Sequence, residues 1–369
     1  MILRTLPVAA CLFASAVALS AGSFTQDDGR PYVEIVVAPD APDMTKLAAR
    51  EFQAFIKAVT GQDLPLASDG VGGGGSPVVC IGESTALKKL GIDASGLKPE
   101  GYRIVVKPGV LAIVGRDYAG PPMQANRNPW RLYDLYNTKL KLDALGEAGT
   151  LYGVYAFLER VCGIRFYMPG ELGTVLNPIP DLKVPQFTEQ RAPAFAYRYP
   201  WFCFFEESPT DALWLRRAGF GGTVPVVINH NFDFMYRHRD THPEFFSLVD
   251  GVRDCQPGGS KSAVIGACNL CLSNEDMIQQ FAADICDYFD QHPEQGFFPV
   301  GPPDGMTRIC EESRCQDQID RDVPDNGAYS NYVWGFIAKL ANQVAKRHPD
   351  KFIGCFAYEK YNRPPTRID

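Results

Sequence analysis

From Pro31 onward the apolar positions follow two alternating periods. Tyr32 to Val37 is a β-branched run and predicts a strand. After Pro39 and Pro42, the residues Leu47, Phe52, Phe55, Ile56 and Val59 fall near helical spacing, so 44–59 reads as a helix with one apolar face that Gly61 ends. Pro77 to Gly82 and Tyr102 to Val106 predict further strands, and Val110 to Gly115 folds back on the latter across a Pro108-Gly109 turn. Gly149 to Glu159 opens a strongly apolar helix with Thr150 as its cap; Gly163 stops it, and Ile164 to Tyr167 resumes as strand before Pro169-Gly170. The glycine run from Gly70 to Ser76 lacks the spacing of a phosphate or dinucleotide loop and reads as a surface loop. Ala119 to Leu145, rich in Pro, Asn, Lys and Arg, reads as an insertion. Prolines at 178, 180, 185 and 193 place a domain boundary between Val184 and Pro193.

Beyond that boundary the rhythm changes to strand, loop, helix. Phe195 to Trp201 is the first predicted strand, with a helix from Thr210 to Ala218. Val224 to Asn229 is the second, reaching His230 at its exit, with Phe232 to Tyr236 in the following loop. Ser273-Asn274-Glu275-Asp276 caps a helix carrying Met277, Phe281, Ile285 and Phe289. A third strand runs from Gly296 into the turn at Asp304, and 329–347 supplies its helix. The fourth unit runs from Phe352 to Tyr361 and places Glu359 near a strand end. The expected fold class is α/β: a small α/β N-terminal domain, then about four β/α units, the first half of a TIM-like barrel. A full barrel takes about 250 residues against the roughly 180 after the boundary, so the expectation is either a truncated barrel, as in a fragment of a longer hydrolase, or a smaller α/β sheet that resembles the front of a barrel.

Arg4, an apolar run from Leu6 to Leu19 and the small-residue exit at Ser20 and Ala21 predict a signal peptide over 1–21, hence a secreted or periplasmic protein. The run is shorter than the roughly 20 residues a membrane-spanning helix needs, and no later stretch qualifies, so no integral membrane association is expected. Only seven residues precede the lipoprotein-like Val8 to Cys11, which argues against a lipid anchor. The net charge of -7 is spread out without a Lys/Arg block, against nucleic acid as a partner and in keeping with a neutral ligand such as an oligosaccharide. Five unclustered histidines give no support for histidine-based metal chemistry, and no cofactor motif is present.

Loss of Cys11 with the leader would leave ten of the eleven cysteines in an oxidising compartment. Cys268-x-x-Cys271 and Cys310-x4-Cys315 together offer four thiolates for structural zinc. Disulfides between or within these loops, or burial as free thiols, are the alternatives. Glu311 and Glu312 lack the spacing of a calcium loop and read as solvated loop acids.

Strand C-termini line the active face of parallel β/α folds, which makes Asp304 and Glu359 the candidate catalytic acids. Glycosidic cleavage uses one carboxyl group to protonate the leaving oxygen and a second as nucleophile or base. Glu359 is the candidate donor and Asp304 the orienter or base. Asn229, His230 and Asn231 offer amide and imidazole groups to sugar hydroxyls, and Tyr199, Trp201 and Tyr358 offer rings to a sugar's C–H face. Plainer readings stand beside these: an Asp-Gly turn at 304, a solvated face at Glu359, ordinary aromatic packing. On a regular strand Tyr358 and Glu359 point to opposite faces, so a shared pocket requires a twist or bulge.

Gly149 to Glu159 with Gly163 to Gly173, Ala267 to Asn274, Pro303 to Gly305 followed by Cys310 and Cys315, and Phe356 to Tyr358 with Pro364-Pro365 recur in order along nearly all the chain after the leader. In these runs the chain resembles a bacterial glycoside-hydrolase-like family, domain of unknown function 4838, part of which is glycoside hydrolase family 163. The resemblance implies an N-terminal domain over 31–187 similar to that of family 67 α-glucuronidases and family 20 hexosaminidases, followed by a catalytic barrel, here 193–369. It implies an O-glycosyl hydrolase lineage acting on amino-sugar-containing glycans, similar to endo-β-N-acetylglucosaminidases. A non-catalytic carbohydrate-binding or structural protein is the alternative.

Overall fold

The computed structural model describes residues 22–68, 75–120, 136–200, 208–223, 226, 228–253, 269–304, 306 and 308–367. The expected leader, Trp201 and Cys268 lie outside them. The described residues divide into two compact units, 22–120 with 136–223, and 226–367. Among the described residues no helix is long and apolar enough to cross a membrane.

The first unit contains, in order, β1 (Ser23–Gln26), β2 (Ile35–Val37), α1 (Asp43–Thr60), β3 (Leu66–Ser68), β4 (Val78–Ile81), α2 (Thr85–Lys89), β5 (Tyr102–Lys107) and β6 (Val110–Gly115). There follow β7 (Tyr136–Asn137), β8 (Leu142–Asp143), α3 (Gly149–Val161), β9 (Arg165–Phe166), β10 (Thr174–Val175), β11 (Asp181–Val184), β12 (Phe187–Arg191), β13 (Tyr197–Arg198), α4 (Pro209–Arg217) and β14 (Gly221–Gly222). Six strands form one mixed sheet in the order β12-β5-β6-β4-β2-β3. β3, β2, β4 and β6 run parallel, β5 is antiparallel to β6, and β12, antiparallel to β5, forms the edge. β6 is buried at every position, as a central strand covered on both faces must be, whereas β5 alternates buried and half-buried.

The period-two alternation of β6 builds two layers. Leu111 and Ile113 join the larger core, where α1 and α3 bury Phe52, Ile56, Val154 and Phe157. Val110, Ala112 and Val114 face the other way, against Leu87 of α2. The rings of Phe24, Phe52 and Phe157 meet at centroid distances of 5.5 to 6.4 Å. Gly61 ends α1 at φ 81°, the left-handed conformation that a side chain disfavours. Gly149 serves a different need: a Cβ there would lie 2.2 Å from the Gly101 carbonyl oxygen, so only glycine lets α3 start against the sheet.

Two local expectations are corrected. The residue preceding α3 is Ala148, which offers no side-chain cap, and Thr150 is not the cap. Asp117, just beyond β6, fills the role from across the chain by accepting from Thr150 N at 2.8 Å and Thr45 Oγ1 at 2.6 Å, which sets a carboxylate at a helix N-terminus. The proline-flanked stretch near 184–193 is not irregular either, since Phe187–Arg191 is the sheet's edge strand and Pro185 and Pro193 bracket it.

In the second unit come β15 (Leu248–Val249), β16 (Val252–Arg253), α5 (Glu275–Gln291), β17 (Phe297–Pro299), α6 (Ser313–Gln316), α7 (Ser330–Ala345) and β18 (Phe352–Gly354). Asn274 caps α5 by accepting from Asp276 N at 3.1 Å and Met277 N at 3.3 Å. α5 and α7 bury Met277, Phe281, Ile285, Val333, Phe336 and Leu340 in one core with Phe298 and Val300. β17 and β18 are parallel neighbours, and a parallel bridge from His230 to Gly301 adds a third chain segment beside them.

The architecture is thus mixed α/β, and among the described residues its parallel strands do not close into a barrel. The segment expected as the first barrel strand contributes only β13, which pairs antiparallel with β14. Phe232 to Tyr236, expected as loop, lies in a 3-10 helix, Phe232–His238. The fourth expected strand stops at Gly354, and Glu359–Tyr361 is a 3-10 turn. The backbone at Glu359 has φ 41°, so the chain bends away from the strand direction there.

Candidate functional site

The second unit gathers its chemistry where three parallel segments leave the core. Asn231 N donates to the Gly301 carbonyl at 3.0 Å, and Val300 N donates to the Gly354 carbonyl at 2.7 Å. The buried Asn231 side chain donates from Nδ2 to the Pro299 carbonyl at 3.0 Å, which fixes the exit of its segment against β17. These bonds align three exits: His230 on the first, Pro302-Pro303-Asp304 on the second, and Cys355 to Tyr358 on the third.

At this edge the Tyr358 hydroxyl donates to Asp304 Oδ1 at 3.1 Å. The imidazole of His230 lies 4.8 Å from the Phe356 ring centroid and 6.1 Å from that of Tyr358. His230 Nδ1 bonds the Pro302 carbonyl. A carbonyl only accepts, so Nδ1 carries the proton, and in the neutral ring Nε2 is an acceptor. The hydrogen bond to Asp304 pushes the Tyr358 phenol above its ordinary range, with the charge of Glu359 acting in the same direction. Both acids therefore bear on one hydroxyl, which the bend at Glu359 permits and a regular strand would not.

Asp304, Tyr358 and Glu359 are exposed, whereas Asn229 and His230 are half-buried. Tyr199 belongs to the first unit, where it packs against the large apolar core. Asp304, His230 and Tyr358 are singled out by the sequence, Asn231 only within the polar run Asn229 to Asn231, and Phe356 only within the family-like run Phe356 to Tyr358. Phe356 sits in the same aromatic run as Tyr358, two residues earlier, and Asn231 directly follows His230; that adjacency was the available signal.

The first unit holds a cavity of about 490 Å³ beyond β2, β4 and β6, lined by Thr45, Ser84, Arg116, Asp117 and Glu147 among others. Open α/β sheets bind ligands at such an edge. Three of its charged groups are already engaged: Arg116 Nη2 pairs with Glu147 at 2.7 Å, Glu147 accepts from Glu100 N at 3.1 Å, and Asp117 is held by Thr45 and Thr150. Burial raises the Asp117 carboxyl to about 6, opposed by its hydrogen bonds from Thr150 and Thr45.

A third cluster lies in the second unit. Cys271 Sγ stands 3.5 Å from Cys315 Sγ and 3.6 Å from Cys310 Sγ, with Glu312 Oε2 3.5 Å from Cys271 Sγ. Glu312, expected as a solvated loop acid, is instead bonded by Arg253 and, at 2.7 Å, by Arg314 Nε.

Fold and site together define a mixed α/β protein with hydrogen-bonding and aromatic groups at the exits of parallel segments. Residues 169–369 match the family described as Domain of unknown function (DUF4838), and the chain belongs to that family. The comparison with curated proteins gives no match. Among solved structures the chain is similar to a family GH115 4-O-methyl-α-glucuronidase with specificity for decorated arabinogalactans, at 12% identity and TM-score 0.33, covering 88% of this chain and 40% of that one. It is also similar to Streptomyces plicatus N-acetyl-β-hexosaminidase, at 13% identity and TM-score 0.36, covering 92% and 64%, and to Flavobacterium johnsoniae chitobiase, at 11% and 0.35, covering 92% and 51%. The chain thus spans between 40% and 64% of the length of these proteins.

Proposed function

We propose that the chain is a carbohydrate-active protein of O-glycosyl hydrolase lineage that acts on amino-sugar-containing glycans, in the manner of the endo-β-N-acetylglucosaminidases of glycoside hydrolase family 163. On this reading 1–21 is a signal peptide and the protein is exported; residues 31–187 form a hexosaminidase-like and α-glucuronidase-like domain, and 193–369 the first β/α units of a TIM-like barrel. The observation that carries the proposal is the Tyr358 to Asp304 hydrogen bond, made beside His230 and Phe356 at the exits of adjacent parallel segments.

A bond at Oδ1 leaves the Asp304 carboxylate with acceptor capacity for a sugar hydroxyl or an N-acetyl N–H. The His230 and Asn229 side chains add polar partners, and the Tyr358 ring a face for the sugar's C–H groups. Asp304, held in place by Tyr358, would orient and polarise the substrate's N-acetyl group or act as base, while Glu359 delivers the proton to the leaving oxygen. A second reading, a glycan-binding surface without turnover, is favoured by the exposure of both acids, which denies a proton donor the apolar surroundings that suit it. The test is release of reducing ends from a panel of N-glycans and β-hexosaminides by the natural full-length protein. Turnover that falls by about 100-fold or more in D304N and E359Q supports the assignment. Turnover unchanged in both variants overturns it, and binding without turnover selects the second reading.

A further inference from the structure

Three buried thiols from two distant stretches of chain converge in the second unit, and their surroundings are those of bound charge rather than of neutral sulfur. Cys271, Cys310 and Cys315 are fully buried, and with Glu312 they place four donor atoms within 4.8 Å of one another. In a tetrahedral zinc site with Zn–S bonds of about 2.3 Å, neighbouring sulfurs stand about 3.8 Å apart. The observed separations of 3.5 and 3.6 Å need little adjustment to admit the ion.

The neighbours match. Leu248 N donates to Cys310 Sγ at 3.3 Å, Arg314 Nη2 reaches Cys271 Sγ at 3.6 Å, and Arg253 and Arg314 both bond Glu312. Backbone N–H groups and guanidinium groups aimed at sulfur and at its neighbouring carboxylate are what a ligated thiolate set requires of its surroundings. Zinc with three thiolates and one carboxylate carries two net negative charges, and the two arginines supply two positive ones. A disulfide accounts for only two of the three sulfurs and gives Arg314 no anionic sulfur to face.

We propose that Cys271, Cys310 and Cys315 bind a structural zinc ion, with Glu312 as its fourth ligand. The site would tie the loop before α5 to the stretch that carries α6.

The test is metal analysis of the natural full-length protein, prepared with its thiols protected from oxidation. About one zinc per chain is expected, with X-ray absorption reporting three sulfurs and one oxygen at the metal. Zinc removed by a chelator should lower the unfolding temperature. Cobalt added to the stripped protein should then give the visible bands of a tetrahedral thiolate complex, a readout that needs no variant to fold. Of the variants, C271S, C315S and E312Q should lose zinc and C268S should keep it. Protein without zinc and without cobalt bands, or with two of the three cysteines joined as a disulfide, overturns the proposal. Zinc lost in C268S but kept in E312Q overturns the assignment of Glu312.

Discussion

Asp117 gives a pH dependence whose sign follows from its surroundings. Its carboxyl rises from 3.8 to about 6 because burial disfavours the charge more than the bonds from Thr150 and Thr45 favour it. The folded chain therefore holds a proton that the unfolded chain releases. The stabilisation is fully present below about pH 4 and is lost as pH rises through about 6. Each pH unit of such a rise corresponds to about 1.4 kcal/mol, which sets an upper limit near 3 kcal/mol. Asp117 keeps a partial opening onto the cavity it lines, so solvent screening reduces the effect to about 1–2 kcal/mol. In D117N the amide oxygen still accepts from Thr150 N, the amide N–H meets the Thr45 hydroxyl, and the titration is gone. Thermal unfolding of the natural protein and of D117N, followed by circular dichroism at about pH 4 and pH 8, isolates the term, because every other titrating group cancels in the difference. The variant should gain about 1–2 kcal/mol on the natural protein between the two conditions. A difference independent of pH would refute the reasoning. So would a variant weakest at the higher pH, because the helix N-terminus would then value the charge more than burial penalises it.

The remaining predictions concern the second unit. Phe298 is fully buried, with the Phe234 and Tyr288 rings at 4.9 and 5.1 Å, so F298A should cost about 3–5 kcal/mol in denaturant unfolding and loosen the strand that leads to Asp304. N274A removes the side chain that caps α5 and should cost about 1 kcal/mol in the same measurement. Y358F should change stability by less than about 0.5 kcal/mol because the residue is exposed, yet weaken glycan binding about 5- to 10-fold through loss of the bond to Asp304.

Periodicity located the long elements closely. The pattern over 44–59 and the glycine at 61 foretold α1, and Ser273 to Asp276 foretold the start of α5, because one apolar face and one end signal lie within a single stretch of sequence. Long-range pairing escaped: β12 sits between prolines that locally argue against a strand, and only its ladder with β5 makes it one. The same holds for Asp117 as a cap, since the residue and the helix it serves are 33 positions apart. At the site, Asp304 and Tyr358 are visible as chemistry at expected strand exits, while their hydrogen bond joins residues 54 positions apart and the bend at Glu359 is not foretold by a strand pattern. Cys271, Cys310 and Cys315 were marked by spacing alone, but Glu312 took its meaning from Arg253, which lies 59 residues away.

Whether the edge formed by Asp304, Tyr358 and His230 holds a sugar decides the proposed function. Calorimetric titration of the natural full-length protein with an oligosaccharide containing N-acetylglucosamine measures this without requiring turnover. Saturable binding, weakened about 10-fold or more in D304N while the unfolding temperature holds, is the result predicted. No binding by the folded protein, or equal affinity in D304N, Y358F and the natural chain, would contradict it.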